Sequence, residues 1–250
     1  MVQQQSNPCN LSKSMNNAKA LIDGDILVYR IGFSTNEPDE EKFALSRMGN
    51  FVDSLIKVDG IVSYEGYLTG KKNYRSEITA TYKENRKDAR KPVHFHSLRE
   101  YLVNKWGFTV IDGQEADDAI GIKAYELPED SSCVMTIDKD LDMIRGWHYN
   151  FVKQDLYYVT EQEAIKNFYI QILTGDRVDN IPGLKGIGPV KAKKILKDCQ
   201  TEQDLFDAVL EKYDNDIETL TERARLLWIR RKENQLWTSP NTSQSDTSSG

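Results

Sequence analysis

The sequence predicts an α/β fold: a mostly parallel central sheet with helices on both faces, followed by a helical C-terminal part. Two patterns predict it. Short apolar runs alternate with stretches of helical spacing up to about residue 160, and beyond that point only helical spacing remains. A composition of 39% hydrophobic and 29% charged residues over 250 positions is that of a globular chain able to bury a core.

In chain order, the apolar runs place strands at residues 20–22, 61–68, 108–111, 133–137 and 148–152. Helical spacing covers residues 39–57, 96–105, 115–125, 161–173, 190–198, 202–212 and 217–236. The chain therefore divides into an α/β core over 18–159, with a basic segment near 71–97, and a helical part over 160–237. Residues 1–17 and 238–250 are rich in Ser, Asn, Gln and Thr and nearly free of large apolar groups. They cannot offset their ordering entropy and are expected to be disordered tails. No repeat of 20–50 residues is present.

Several function classes are excluded at once. The three cysteines, Cys9, Cys133 and Cys199, have no C-x-x-C spacing and suggest neither a disulfide framework nor a zinc site. No apolar run is long enough to span a membrane, and the polar N-terminus lacks a signal-peptide core. A cytoplasmic protein without a membrane partner is expected.

The net charge of −6 conceals two basic segments. Residues 71–91 hold eight basic residues against three acids, and residues 180–197 hold five lysines and no acid. The acids gather elsewhere, in short clusters at strand ends or helix starts. Asp23 and Asp25 follow the first strand. Glu115, Asp117 and Asp118 open the helix after the third, and Asp138, Asp140 and Asp142 follow the fourth. Asp176 and Asp179 come after the helix that ends near residue 173. In an open parallel sheet the carboxyl ends of the strands line one crevice, where the first three clusters can converge. Converging carboxylates repel unless a cation neutralises them. Oxygen ligands without nearby histidine or cysteine select Mg²⁺ or Mn²⁺ over zinc. Two such ions suit the in-line hydrolysis of a phosphodiester. Asp25 and Asp142 are the weakest members, with capping roles as reasonable as ligation.

The most specific stretch is Thr174-Gly175-Asp176-Arg177-Val178-Asp179-Asn180-Ile181-Pro182-Gly183-Leu184-Lys185-Gly186-Ile187-Gly188-Pro189. Its glycines permit a tight hairpin, and Gly186 and Gly188 precede a helix carrying Lys191, Lys193 and Lys194. Together with Lys185 these lysines supply affinity for a DNA backbone.

In this order, the motifs resemble those of the 5′-nuclease superfamily, which comprises flap endonucleases, bacteriophage 5′–3′ exonucleases and the 5′-nuclease domain of bacterial DNA polymerase I. They are Leu21-Ile22-Asp23-Gly24, Tyr74-Arg75 with Tyr82-Lys83-x-x-Arg86, Glu115-Ala116-Asp117-Asp118, Asp138-Lys139-Asp140, and the glycine hairpin. The resemblance runs from about residue 20 to 199 and implies a PIN-like nuclease core with a helix–hairpin–helix near 176–197. It implies metal-site positions at Asp23, Glu115, Asp117, Asp118, Asp138, Asp140, Asp176 and Asp179, holding two Mg²⁺ ions that Mn²⁺ can replace. Asp117 and Asp138, with Lys83 and Arg86 on the scissile phosphate, are the implied catalytic set. Arg75 and Lys87 join the DNA contacts, and Tyr82 either packs or stacks on a base. Gly186 and Gly188 belong to the hairpin that grips duplex and, in relatives, holds K⁺.

One departure stands out. Several relatives carry an aspartate of the metal site at the strand end before Tyr74-Arg75, where this chain has Leu68-Thr69-Gly70. Glu65 lies on the opposite sheet face from Leu68 and is a poor substitute. His94 and His96 have no third metal ligand and are read as surface or phosphate contacts, and His148 as a strand residue. Trp106, Trp147, Trp228 and Trp237 are read as packing residues.

The expected function is a Mg²⁺-dependent, structure-selective 5′-nuclease. It would be a monomer acting on DNA with a 5′ flap, nick or free 5′ end, leaving 5′-phosphates, in replication, primer removal or repair. The alternatives are a PIN-like ribonuclease and a catalytically silent binder of branched DNA.

Overall fold

The computed structural model describes residues 14–241. The elements in chain order are β1 (Ala18–Asp23), α1 (Gly24–Ser34), α2 (Glu41–Ile56), β2 (Ile61–Asn73), α3 (Arg75–Ile78), α4 (Phe95–Trp106), β3 (Thr109–Gly113) and α5 (Ala116–Glu126). They continue with β4 (Ser132–Met135), β5 (Gly146–Asn150), β6 (Asp155–Val159) and α6 (Glu161–Thr174). A short ribbon of β7 (Gly175–Asp176) and β8 (Ile181–Pro182) precedes α7 (Pro189–Ile195), α8 (Glu202–Lys212) and α9 (Ile217–Leu227).

The six-stranded sheet has the order β3-β2-β1-β4-β5-β6 and is parallel except for β6, which pairs antiparallel with β5 at the edge. The chain runs outward from β1 to β3, then returns to the other side of β1 for β4. Connections therefore leave β1 and β4 in opposite directions, and a crevice opens at their carboxyl ends. Alternate residues serve two cores. Ala20, Ile22, Leu68, Cys133 and Met135 pack under α1, α2 and α4. Leu21, Tyr67 and Val134 pack under α5 and the C-terminal helices.

The helical C-terminal part is continuous with the second of these cores. Phe168, Ile172, Phe206, Leu220, Trp228 and Trp237 belong to the same apolar cluster as Leu21 and Ile120. The segment over 160–237 is thus the outer layer on one sheet face and shares its core with the α/β part. Among the described residues no helix is long and apolar enough to cross a membrane.

The expected strands are all present, and β6, α3 and the β7–β8 ribbon are added to them; further differences concern the helices. Helix α1 has no counterpart in the spacing analysis, because Ile26, Tyr29 and Phe33 on its less buried face are as apolar as the buried Leu27, Val28 and Ile31 and blur the period. Its start is set instead by Asp23, whose carboxylate accepts the Ile26 N–H at 3.2 Å as an N-cap. The helix expected over 217–236 stops at Leu227, and the chain continues as an extended strap from Trp228. Helix α7 ends at Ile195, three residues short of expectation. Within the expected N-terminal tail, Met15 packs into the core beside Ala18. The rest of that tail up to residue 13, with Cys9, and residues 242–250 lie outside the described residues.

Trp147, Trp228 and Trp237 are buried, and Trp106 packs against Tyr64, as expected of packing residues. His148 is a buried β5 residue. His94 departs from expectation: it is buried and its Nε2 lies 2.7 Å from the Glu37 carbonyl, tying the end of the basic segment to the loop before α2.

Gly24 allows α1 to press against β2. A Cβ there would sit 2.5 Å from the Tyr67 carbonyl oxygen and 2.9 Å from Leu68 Cδ2. On the other face, Arg75 is buried and joins three elements. Its Nη1 and Nη2 donate to Asp118 on α5 at 2.6 and 2.9 Å, while Nε and Nη2 donate to the Leu226 and Trp228 carbonyls at 2.8 and 2.6 Å. Those carbonyls are occupied where the helix would otherwise turn on, which accounts for the strap. Asp118→Asn leaves the buried guanidinium with only Glu115, at 3.8 Å, as counter-charge, and is expected to lower stability by about 3 kcal/mol. Urea unfolding of the variant beside wild type measures this, and a loss below about 1 kcal/mol would refute the clamp.

Candidate active site

Three strand ends and one hairpin supply the side chains of the crevice. Asp23 ends β1, Asp138 follows β4, Glu115 and Asp117 flank the start of α5, and Asp176 and Asp179 stand on the turn between β7 and β8. The cleft, of about 440 Å³, is lined by Asp23, Asp25, Glu115, Asp117, Asp138, Asp140, Asp176 and Asp179, together with Lys83, Arg86, Lys91 and Arg99. Seven of the eight metal-site residues named from the sequence are thus brought together, and Asp25 joins them.

The eighth is a correction. Asp118 faces the opposite way, fully buried against Arg75, and also accepts the backbone N–H groups of Glu115 and Arg230 at 3.1 Å each. With four donors on its two oxygens it has no capacity for a metal ion. Arg75 is corrected with it: this side chain lies beneath the site, spent on Asp118 and the strap, and presents no group to phosphate. Tyr82 resolves to packing. It is buried, with its hydroxyl 3.2 Å from the Glu115 carboxylate and 3.1 Å from Asp179 Oδ2.

The carboxylates fall into two electrostatic groups. Glu115 and Asp179 are paired: Lys83 bridges them, bonding Glu115 Oε1 and lying 3.3 Å from Asp179 Oδ2, while Arg86 donates to Asp179 Oδ1 at 2.8 Å. Asn73 adds a hydrogen bond to Glu115 at 2.8 Å. Burial works against the charged form of Lys83, but Glu115 and Asp179 outweigh it and hold its pKa above the ordinary lysine value. Lys83 also adopts a left-handed φ of 53°, and its N–H donates to the Asp179 carbonyl at 3.0 Å. Asn85 donates to the Arg177 carbonyl and Asn180 to that of Thr81. The basic segment therefore lies down on the β7–β8 turn.

Asp23, Asp117, Asp138, Asp140 and Asp176 have no ion-pair partner among the described residues. Asp23 accepts from Ile26 N–H and from the Thr136 hydroxyl at 2.9 Å, yet burial and the charge of Asp25 push its pKa up to about 7. Burial, with Asp138 and Asp176 nearby, likewise pushes Asp140 up to about 7. Asp117 is raised well above the usual carboxylate range by burial and by Asp23, Glu115 and Asp138. Five carboxylates without a cation, three of them resisting ionisation, are a donor set short of positive charge. No histidine or cysteine lines the cleft, so the set is one of hard oxygens. Among the described residues no three of these side chains close into a ready-made cage.

The strand end at Leu68-Thr69-Gly70 carries no carboxylate, but Asp25 stands against it. Asp25 Oδ2 accepts the Thr69 N–H at 2.9 Å, and Oδ1 accepts from Arg99 at 2.8 Å. Thr69 Oγ1 in turn accepts the Ala116 N–H at 2.9 Å, tying this strand end to the first residue of α5. Glu65 is held elsewhere by Lys19 and Tyr67. Asp142 accepts from Tyr157 and does not line the cleft. Arg99, Thr69, Asn73 and Thr136 escaped the sequence reading; only the i, i+4 spacing of Phe95 and Arg99 on α4 could have marked one of them.

The hairpin residues lie apart from the cleft floor. After β8 the chain turns through Gly186, with φ of 78°, and Gly188 into α7, where Lys191, Lys193 and Lys194 are exposed, as are Lys185 and Val190. Lys87 is exposed and 3.3 Å from Glu84. His96 is exposed beside Phe95.

Comparison with known proteins finds relatives by sequence and by fold. The 5'-3' exonuclease of Bacillus subtilis is 27% identical over 231 residues, 77% of this chain and 74% of that protein. DNA polymerase I of Borreliella burgdorferi is 28% identical over 137 residues, which is half of this chain and only 14% of the polymerase. A crystal structure of the bacteriophage T5 flap endonuclease in complex with DNA and metal ions superposes with a TM-score of 0.65 at 19% identity, covering 84% of this chain and 88% of that one. The model of the 5'-3' exonuclease N-terminal, resolvase-like domain matches residues 18–169, and the chain belongs to that family.

Proposed function

We propose that this protein is a Mg²⁺-dependent, structure-selective 5′-nuclease that hydrolyses DNA phosphodiesters near a 5′ flap, nick or free 5′ end, leaves 5′-phosphates, and serves replication, primer removal or repair. The observation that carries the reading is the stripe of five carboxylates without counter-charge, flanked by Lys83 and Arg86 and joined through the β7–β8 turn to the exposed lysines of α7. The T5 relative, with DNA and metal ions in its crystal, supports the same pairing of ligands.

Asp23, Asp117, Asp138, Asp140 and Asp176 would hold the divalent ions, with Glu115 and Asp179 released from Lys83 as further ligands. Bound there, the ions supply a water nucleophile at neutral pH and neutralise charge on the phosphate. Thr136 orients Asp23, and its hydroxyl also accepts the Asp138 N–H at 3.0 Å, so one side chain sets two carboxylates. Lys83 and Arg86 place positive charge where the scissile phosphate gains negative charge. Lys185, Lys191, Lys193 and Lys194 hold duplex backbone without reading sequence. The turn at Gly186 and Gly188 is the place for the K⁺ that the family resemblance implies.

A 5′-labelled flap duplex and a matched RNA oligonucleotide, each with Mg²⁺ or EDTA, test the reading. Junction-positioned DNA cuts are expected, abolished by EDTA and by Asp138→Ala with DNA binding retained. Cleavage of RNA alone, or DNA cleavage by the purified Asp138→Ala protein, would overturn it. Lys83→Ala is expected to lower kcat about 10²–10³-fold while changing duplex affinity far less, as single-turnover rates and anisotropy will show.

The raised carboxylates make metal-free stability depend on pH. Asp140 has a folded pKa of about 7 against an ordinary 3.8, so the folded state binds the extra proton between these values. Its contribution to stability is complete below the ordinary value and is lost as pH rises through about 7. In EDTA, Asp140→Asn is expected to melt above wild type, with the gap widening from pH 5 to pH 8 by about 2–4 °C for each kcal/mol of relieved repulsion. In millimolar Mg²⁺ the gap should close, because wild type gains a counter-ion that the variant binds less well. A gap independent of pH in EDTA would refute the assignment.

A further inference from the structure

The cations named from the sequence, Lys83 and Arg86, stand on one wall of the cleft and are engaged with Glu115 and Asp179. The opposite wall, built by α1 and α4, carries a different kind of cation. Arg99 is 17% exposed and held from three sides. Its Nη1 donates to Asp25 at 2.8 Å, its Nη2 donates to the Thr69 carbonyl at 2.7 Å, and its guanidinium lies over the Phe95 ring at 5.5 Å. A guanidinium has five N–H donors, and the other three bond nothing among the described residues. Of these, the Nε–H sits on an atom with no partner that is not buried, so it is open to solvent. Lys91 Nζ stands over the same ring at 4.6 Å, so Phe95 carries two cations at the cleft wall.

This arrangement is pre-organised for a phosphodiester. The rotamer is already fixed by Asp25, Thr69 and Phe95, so little side-chain entropy remains to be lost when an anion arrives. Asp25, the nearest acid, is neutralised by Arg99 itself and repels a phosphate little. A DNA strand entering a cleft that holds twice as many acids as bases needs a contact on this wall, where Arg99 offers directed N–H donors and Lys91 adds a charge that Asp25 does not cancel.

We propose that Arg99 is a further substrate-binding residue, which clamps the backbone phosphate adjoining the scissile one on the strand being cut, with Lys91 beside it. The proposal rests on the nuclease reading and deepens it by assigning the second wall of the cleft.

The test compares wild type, Arg99→Gln, Arg99→Lys, and the charge-balanced double variant Asp25→Asn with Arg99→Gln, which keeps the wall neutral. Substrates are a 5′-flap duplex with natural backbone and two versions with an uncharged methylphosphonate on either side of the scissile phosphate. On natural DNA, Arg99→Gln and the double variant are expected to raise KM about tenfold, with a smaller fall in kcat, and Arg99→Lys to recover part of the loss. At one methylphosphonate position wild type should fall to the level of Arg99→Gln, and Arg99→Gln should lose nothing more. In the Asp138→Ala background, where substrate persists, Arg99→Gln should lower the slope of log affinity against log salt by about 0.7–0.9, the value of one phosphate contact. Melting temperatures in EDTA check that the double variant folds. Equal losses on charged and uncharged backbones, or no loss at all, would overturn the Arg99 assignment while leaving the nuclease reading intact. Failure of wild type to cut natural DNA would overturn the nuclease reading itself.

Discussion

Mutual repulsion among carboxylates at the carboxyl ends of β1 and β4 is the constraint around which the rest of the molecule is arranged. Strand ends that diverge at a topological switch point bring Asp23 and Asp138 to the same crevice, and the starts of α5 and of the β7–β8 turn add four more acids. Burial makes each ionised form costlier, and neighbours of the same sign add to that. The compensations are visible in the hydrogen bonds. Asp23 is capped by Ile26 and Thr136, Asp138 Oδ1 accepts the Asp140 N–H at 3.0 Å, and Asp176 accepts the Val178 N–H at 2.7 Å. Backbone donors can orient these groups, but they cannot neutralise five of them.

Holding like charges together requires a frame that does not yield, and two apolar layers provide it. On one face Gly24 lets α1 approach β2 so closely that Asp23 and Asp25 are set against the end of that strand. On the other, Arg75 and Asp118 lock α5 to the strap after α9, and Asp118 also accepts the Glu115 N–H. The C-terminal helices thus reach the cleft through this buried ion pair and through Gln171 of α6, which hydrogen-bonds Asp140. A folded chain is stable by only about 5–15 kcal/mol, so a site with this much repulsion depends on such distant packing.

What was legible in the sequence is what local patterns encode. Strand ends, helix starts and the glycine hairpin are short-range features, and seven of the eight acids assigned to the metal site line the cleft. What was not legible depends on partners far along the chain. Asp118 has the same local context as Asp117, and only Arg75, 43 residues away, turns it inward. Tyr82 is anchored by Glu115 and by Asp179, which is 97 residues away. Helix α1 was missed because apolar residues occupy its exposed face as well as its buried one, and β6 because its exposed start at Asp155 and Leu156 and its buried end at Tyr158 and Val159 show no alternation.

The missing carboxylate at Thr69 illustrates how a charge can move without the site losing it. In this chain the strand end offers a backbone N–H, and Asp25 on the first turn of α1 brings the carboxylate to it. Coulomb energy depends on distance and surroundings, not on which element carries the charge, so the cleft keeps eight acids. The replacement differs in one respect, because Asp25 comes with Arg99 at 2.8 Å and is neutral as a pair. Glu115 and Asp179 are likewise matched by Lys83 and Arg86 on the other wall. The cleft is therefore not uniformly acidic: two neutralised walls, each bearing cations, border a central stripe of five carboxylates. A cation is drawn to the stripe, while the paired walls differ from it in offering directed N–H donors, such as those of Arg99.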